Sequence, residues 1–194
     1  MATLNATNLK HASSSSNNIV LAANGSVNIP TLTTSSSFGK IIQVVSTTRT
    51  DTFSASITES QYANALSVTI DNVASGSKIF VIAQVTIGLD NDNEVEFAFF
   101  RGGSILEGAV GAAEGNRTRS TACGKCGANS SPETVNGHFL DTSPGTGSIT
   151  YDARLSHQNN GSTRTVYLNR SHADGNNDQD SRLSSTITVV EIAA

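Results

Sequence analysis

The sequence has no tryptophan, a single methionine at position 1, two cysteines and three prolines, and only 14% of its 194 residues are charged. Each scarcity excludes something. A helical bundle covers its surface with Ala, Leu, Glu, Lys and Arg in bulk, and so few charges do not supply that. A disordered chain stays open through low hydrophobicity and high net charge, whereas this one is 37% hydrophobic with a net charge of −4. That acidic balance, with an isoelectric point near 5.5, gives no footprint for nucleic-acid phosphates. No apolar run approaches the roughly 18 residues of a membrane span, so no membrane insertion is expected. Met1 to Asn8 lack the basic and apolar regions of a signal peptide. The chain is therefore expected to be made in a cytosol and to stay soluble. Two cysteines three positions apart make no disulfide framework.

What is abundant is small and polar: 27 Ser, 22 Thr and 18 Asn. Threonine with Val and Ile, punctuated by Gly and Asn, suits pleated strands joined by tight turns. Residues 1–38 form a leader, thin in apolar side chains, with Ile19-Val20-Leu21 and a hairpin signal at Asn24-Gly25. So little apolar surface requires it to lie on the main domain, on another copy or on a partner, or to remain a flexible terminus. From residue 39 to 194 the strand signal is sustained. Ile41 to Val45 opens it, and Leu66, Val68 and Ile70 alternate with polar residues. Ile79 to Ile87, the most apolar stretch, reads as a central strand buried on both faces at its start. Val95, Phe97 and Phe99 alternate, as do Ile149, Tyr151, Ala153 and Leu155; Val166 to Leu168 and Ile187 to Ile192 close the set. These strands predict an all-β fold, an antiparallel β-sandwich of jelly-roll type. The best helix candidate is one turn near Ser60 to Leu66. Residues 102–147, spaced by glycines, read as a long loop, and Asn169 to Arg182 as a second one facing outward.

Few residues offer chemistry. Cys123-Gly124-Lys125-Cys126 has the spacing of half a zinc site, with His138 the nearest further ligand. It reads first as a pair of loop cysteines without metal, second as a local disulfide, and third as a metal site, one that two chains could share. Asp90, Asp92 and Glu94, and Asp174, Asp178 and Asp180, are oxygen-rich enough for a structural cation, although Asp and Asn are also the default residues of turns. No cofactor is otherwise expected. The four histidines, His11, His138, His157 and His172, have no fixed spacing. No nucleophile elbow, phosphate loop or dinucleotide fingerprint is present, so no catalytic residue is expected.

The stretch Gly39-Lys40-Ile41-Ile42-Gln43-Val44-Val45-Ser46-Thr47-Thr48-Arg49-Thr50-Asp51-Thr52-Phe53-Ser54 resembles the opening of fibre-like surface proteins of tailed bacteriophages, marine and cyanobacterial ones especially. The segments that follow keep the same order: Leu66 to Ile70, Ser77 to Val81, Phe99-Phe100-Arg101-Gly102-Gly103, Tyr167-Leu168-Asn169-Arg170 and Ser185 to Ile192. The leader from Thr7 to Leu21 is similar too. The resemblance implies a homotrimeric jelly-roll module, located in the virion, whose segment 1–38 serves attachment or trimerisation through Leu9, Ile19, Val20 and Leu21. The implied partners are other phage structural proteins, of the tail or the major capsid, and host cell-surface polysaccharide. The chain departs from the family in lacking a long shaft and in carrying the Cys123–Cys126 loop. The expected function is that of a non-enzymatic component of the tail fibre or fibre tip in host attachment. A capsid decoration (cement) trimer is the alternative, and a fibre-borne polysaccharide depolymerase the second. Phe97, Phe99, Tyr151 and Tyr167 are candidates for the core or for the trimer interface, with at least two expected in the core.

Overall fold

The computed structural model describes residues 8–9, 12–13, 15, 19–21, 23, 27–28, 40–59, 61–127, 131–158, 161–178 and 180–194. The chain divides into two compact units, Met1–Phe38 and Gly39–Ala194. In the first, strands β1 (Asn8–Leu9), β2 (Ile19–Leu21) and β3 (Val27–Asn28) form an antiparallel sheet in the order β1-β2-β3. Leu9 pairs with Ile19 and Leu21 with Val27. The β2–β3 pairing brackets Asn24-Gly25, which itself lies outside the described residues.

The second unit contains β4 (Ile41–Arg49), β5 (Phe53–Thr58), β6 (Ala63–Val73), β7 (Lys78–Leu89), β8 (Asn93–Arg101), β9 (Ser104–Ile105), β10 (Ala122–Cys126), β11 (Glu133–Asp141), β12 (Gly147–His157), β13 (Thr163–Leu168) and β14 (Ser185–Ile192). Its pairing is that of a long hairpin rolled on itself: β4 with β14, β6 with β12, β7 with β11 and β8 with β10, all antiparallel. Rolling then brings β14 onto β7 and β12 onto β8. The result is two packed sheets, β4-β14-β7-β11 and β6-β12-β8-β10, a jelly roll. The β13–β5 pair extends the first sheet beside the end of β7.

Period-two alternation explains the core. Leu66, Val68 and Ile70 of β6, Ile79, Val81, Ala83, Val85, Ile87 and Leu89 of β7, Val95, Phe97 and Phe99 of β8, Tyr151, Ala153 and Leu155 of β12, and Ile187 and Val189 of β14 interleave between the sheets. Each such side chain contributes about 1.5–3 kcal/mol on burial. Phe97 and Phe99 stack edge to face at 5.3 Å between centroids, and Gly137 of β11 makes room for them, since a Cβ there would lie 2.6 Å from the Phe97 ring. Three of the four aromatic candidates, Phe97, Phe99 and Tyr151, are fully buried in the core, whereas Tyr167 is buried outside it, beneath the Arg170 guanidinium at 4.1 Å and beside His172.

Three expectations are corrected. The helical turn near Ser60 to Leu66 is strand from Ala63 onward; the only helical element among the described residues is a 3-10 turn at Glu107–Ala109. The stretch 102–147 is no single loop, because β10 and β11 run through it and fill a place in each sheet. And β7 is buried on both faces at its end, from Val85 to Leu89, while its start alternates, with Ile79, Val81 and Ala83 inside and Phe80, Ile82 and Gln84 outside.

Candidate docking face

The two sheets treat their outer faces differently. On the β6-β12-β8-β10 sheet the outer face is covered over β8 and the facing part of β12, where Phe100, Ala98, Glu96 and Ser156 are all buried, and open on the flanking strands at Thr69, Cys123 and Lys125. Tyr62 packs edge-on against Phe100 at 5.1 Å and donates to the Arg119 carbonyl at 2.7 Å, and the Arg154 guanidinium lies over the same ring at 4.5 Å. On the β4-β14-β7-β11 sheet the outer face is open, and the strand register lays it out in rows. Val44, Val190, Phe80 and Leu140 form one row across the four strands, and Ser46, Thr188, Ile82 and His138 the next. Thr48, Thr186, Gln84 and Asn136 form the third, with Ile42 and Ile192 beyond the first. Val44 is 57% exposed, Ile42 47%, Ile82 41% and Leu140 40%.

Of the side chains pointing outward from these four strands, Lys78 alone carries a full charge. The hydroxyls of β4 and β14 are already paired with one another: Ser46 and Thr188 lie 2.8 Å apart, and Thr48 and Thr186 2.9 Å. Hydroxyls hydrogen-bonded before docking lose little when water is removed. His138 leans against Phe80 with ring centroids 5.9 Å apart. Strand spacing and rise give the face about 20 Å by 25 Å, with its apolar part in the row Val44, Val190, Phe80 and Leu140 and at Ile82, Ile42 and Ile192. Depletion of charge with an aromatic and aliphatic centre is the composition of interface cores.

The acidic loops are engaged in turns. Asp90 accepts from the Thr165 amide at 2.9 Å, and Asp92 pairs with Lys125 at 3.5 Å. The Glu94 amide is capped by Asn93 at 2.8 Å. Asp174 sits between Arg170 at 3.0 Å and Arg182 at 2.7 Å. Asp180 accepts from Gly175 and Asn177, both at 2.8 Å; Asp178 is exposed. Among the described residues no three His, Cys, Asp or Glu side chains are grouped to hold a metal ion. Cys123 and Cys126 are both free thiols. Three positions apart on one strand, they point to opposite faces of β10: Cys123 is exposed, whereas Cys126 faces the core, where burial pushes its thiol up to about 12. Burial, with Glu94 and Glu96 nearby, also raises Cys123. In the leader, Leu9 is exposed and Ile19 and Val20 are half-buried; the Leu21 side chain lies outside the described residues.

Sequence reasoning missed three polar clusters. Asp141 is buried and accepts from Arg101 at 2.6 Å, from Tyr151 at 2.8 Å and from the Ser143 amide at 3.2 Å. Asn169, fully buried at φ 63°, donates to the Arg49 and Asp51 carbonyls at 2.8 and 2.9 Å and accepts from Ser185 at 2.6 Å. Glu96 is buried opposite Ser156, bonded to Gln158 through one oxygen and without a partner on the other. Burial raises its carboxyl above the usual range, and Glu94 and Glu59 add to the effect. Gln158 also lines a polar hollow of about 330 Å³ with Glu59, Asn116, Arg117 and Thr118.

No protein-family model and no curated protein matches the sequence. Among solved structures, that of the infectious bursal disease virus Gx strain is similar with a TM-score of 0.40 and 13% sequence identity, over 84% of this chain and 44% of that chain. This chain thus spans less than half the length of that one.

Proposed function

We propose that the protein is a non-enzymatic structural component of a virus particle: a homotrimer of this sandwich at the surface of a tailed bacteriophage, in a tail fibre or fibre tip that takes part in host attachment. The observation that carries the proposal is the bare outer face of the β4-β14-β7-β11 sheet. A face of this size with one charge is costly to leave in water, and further copies of the same chain fit it. A face with so little charge meets a neighbouring copy without the like-charge clash that a charged surface brings, and its paired hydroxyls lose little on docking. Three copies around an axis beside this face close on themselves, leaving no open surface for runaway addition. The segments that resemble phage fibre proteins support the same reading, since they fall in order on β4, β6, β7, the end of β8, the end of β13 and β14.

Virions carrying a C-terminal epitope tag on this protein, decorated with gold-labelled antibody, test the assignment. Gold at fibre tips is the expected result. Gold spread over the head shell moves the protein to the decoration role, where binding the assembled shell would stabilise it. Particles without label, from a lysate that contains the protein, overturn the structural role altogether.

A further inference from the structure

We propose that the polar hollow at the end of β12, lined by Glu59, Asn116, Arg117, Thr118 and Gln158, binds a neutral saccharide. The inference goes beyond the reading above, because the hollow is separate from the docking face and needs no second copy. Gln158, one residue past β12, donates its amide to the Glu94 carbonyl at 3.3 Å and so continues the outward parity of Arg154 and Ser156. The hollow therefore opens on the outer side of the β6-β12-β8-β10 sheet, away from the β4-β14-β7-β11 face. Its volume of about 330 Å³ is within the range of small-molecule sites. Such sites are ordinarily lined by apolar side chains with a few polar groups among them. Here every lining side chain is polar.

Much of that hydrogen-bonding capacity is unspent. Glu59 uses one carboxylate oxygen on the Gly161 amide, and the Arg117 guanidinium donates to the Glu114 carbonyl of its own turn at 3.3 Å. Among the described residues, neither Asn116 nor Thr118 uses its side chain in a hydrogen bond. Behind Gln158 lies Glu96, 1% exposed, with its carboxyl turned toward the hollow's floor. One oxygen accepts from the Gln158 amide, which fixes that amide and leaves its carbonyl and second N–H for a ligand. The other oxygen, and the hydroxyl of Ser156 opposite, are buried without a partner. A buried acceptor left unpaired is costly, so the floor favours an added donor. The class of ligand follows by elimination. An anion meets the carboxylates of Glu59 and Glu94, whose charges add to burial in raising the Glu96 carboxyl. A cation meets Arg117 and offers no acceptor to the amide N–H groups. An apolar molecule leaves every lining group unpaired. Adjacent hydroxyls on a sugar ring donate and accept through the same atom and carry no charge, so one ring serves carboxylate, guanidinium and amide together.

The test is saturation-transfer-difference NMR on the full-length protein with the methyl glycosides of glucose, galactose and mannose. Each is added at about 10 mM, since a ligand of this size binds a single polar site with a Kd on the order of 1 mM. Glucuronate and spermidine are the anionic and cationic controls. Transfer to at least one glycoside and to neither control is expected. Arg117→Ala, which removes an exposed side chain, should weaken binding about tenfold, and Thr118→Trp, which fills the hollow, should abolish it. The urea midpoint of each variant checks the fold, and Arg117→Ala alone decides should Thr118→Trp lower that midpoint. Silence from all three glycosides overturns the inference, and so does transfer to a control in preference to them. Glycoside binding that survives the substitutions puts the sugar elsewhere and overturns it too. The virion assignment is decided separately by the gold label: label at fibre tips with silent glycosides removes this site alone, and bound glycosides on a protein absent from particles remove the assignment alone.

Discussion

Ile82 is the side chain on which the docking face can be tested most cleanly. It lies on β7, flanked by Thr188 of β14 and His138 of β11, with 41% of its surface in water. Its backbone hydrogen bonds belong to the sheet, and its side chain points away from the core, so the fold depends on it weakly. Burying the exposed remainder of such a side chain contributes about 1 kcal/mol. Ile82→Thr forfeits that gain in each copy, or about 3 kcal/mol per trimer. At 1.4 kcal/mol per factor of ten, the association constant drops by roughly two orders of magnitude. Ile82→Asp does more, since an unpaired carboxylate driven into an apolar contact costs about 3–5 kcal/mol in each copy, enough to abolish a trimer at micromolar concentration. Meanwhile the monomer's urea midpoint should move little, because exposed strand positions respond over about 1 kcal/mol. Sedimentation velocity on the parent and both variants gives the answer. An I82D chain that still sediments as a trimer removes this face from the interface, and one that fails to fold shows that the side chain serves the sandwich instead.

Three further outcomes are expected. Asn169→Ala strips the Arg49 and Asp51 carbonyls and the buried Ser185 hydroxyl of their partner and should lower stability by about 2–3 kcal/mol in urea unfolding; a loss below 0.5 kcal/mol would falsify the anchoring role. Glu96→Gln should change the pH dependence of stability. The raised carboxyl of Glu96 binds its proton more tightly folded than unfolded, so its contribution is present at low pH and fades as pH rises through the folded value. The variant's advantage over the parent should therefore grow between pH 5 and pH 8, and an advantage that is flat or shrinking contradicts the burial. Finally, a thiol reagent should titrate one cysteine per native chain, the exposed Cys123, and two in urea, given that Cys126 is buried with its thiol pushed up to about 12. Two fast thiols in the native protein would place β10 elsewhere.

The parts of the fold legible in the sequence are those where a single side-chain alternation decides the strand. Ile149 to Leu155 and Val95 to Phe99 announce β12 and β8 because every second residue is large and apolar. Strand β11 hides for the opposite reason. Its inward positions are Val135, Gly137, Phe139 and Asp141, and two of the four are wrong for a core on their own. Gly137 is small because the Phe97 ring fills its space, and Asp141 is tolerated because Arg101 and Tyr151 meet it there. Both compensations come from residues at least ten positions away, which periodicity cannot see. The Phe99-Phe100-Arg101-Gly102 strand end is the visible half of that compensation, read as a resemblance before its partner Asp141 supplied the physical reason. The acidic loops mislead in a milder way: Asp and Asn that could ligate an ion also cap turns, and only the pairing of Asp174 with Arg170 and Arg182 shows which use the chain makes of it.

The error made over β7 is the most informative. An unbroken apolar run argues for burial on both faces, and the run from Ile79 to Ile87 was expected to be so buried at its start. Inside one chain that holds only from Val85 onward, where the Arg170 backbone after β13 lies against Gly88 and the Ser184 carbonyl before β14 accepts from the Thr86 hydroxyl at 3.2 Å. At the start, Phe80 and Ile82 keep the composition of a strand buried on both sides while one side stands open to water. The same surplus appears on the neighbours, at Val44 and Ile42 of β4, Val190 of β14 and Leu140 of β11, and always on the outward parity. Apolar residues on one face of four strands distant in sequence, with a single lysine among them, are the pattern that the proposed docking of further copies would explain. A second copy seated on this face, as proposed above, would bury the start of β7 on both sides and reconcile the sequence pattern with the structure of the single chain.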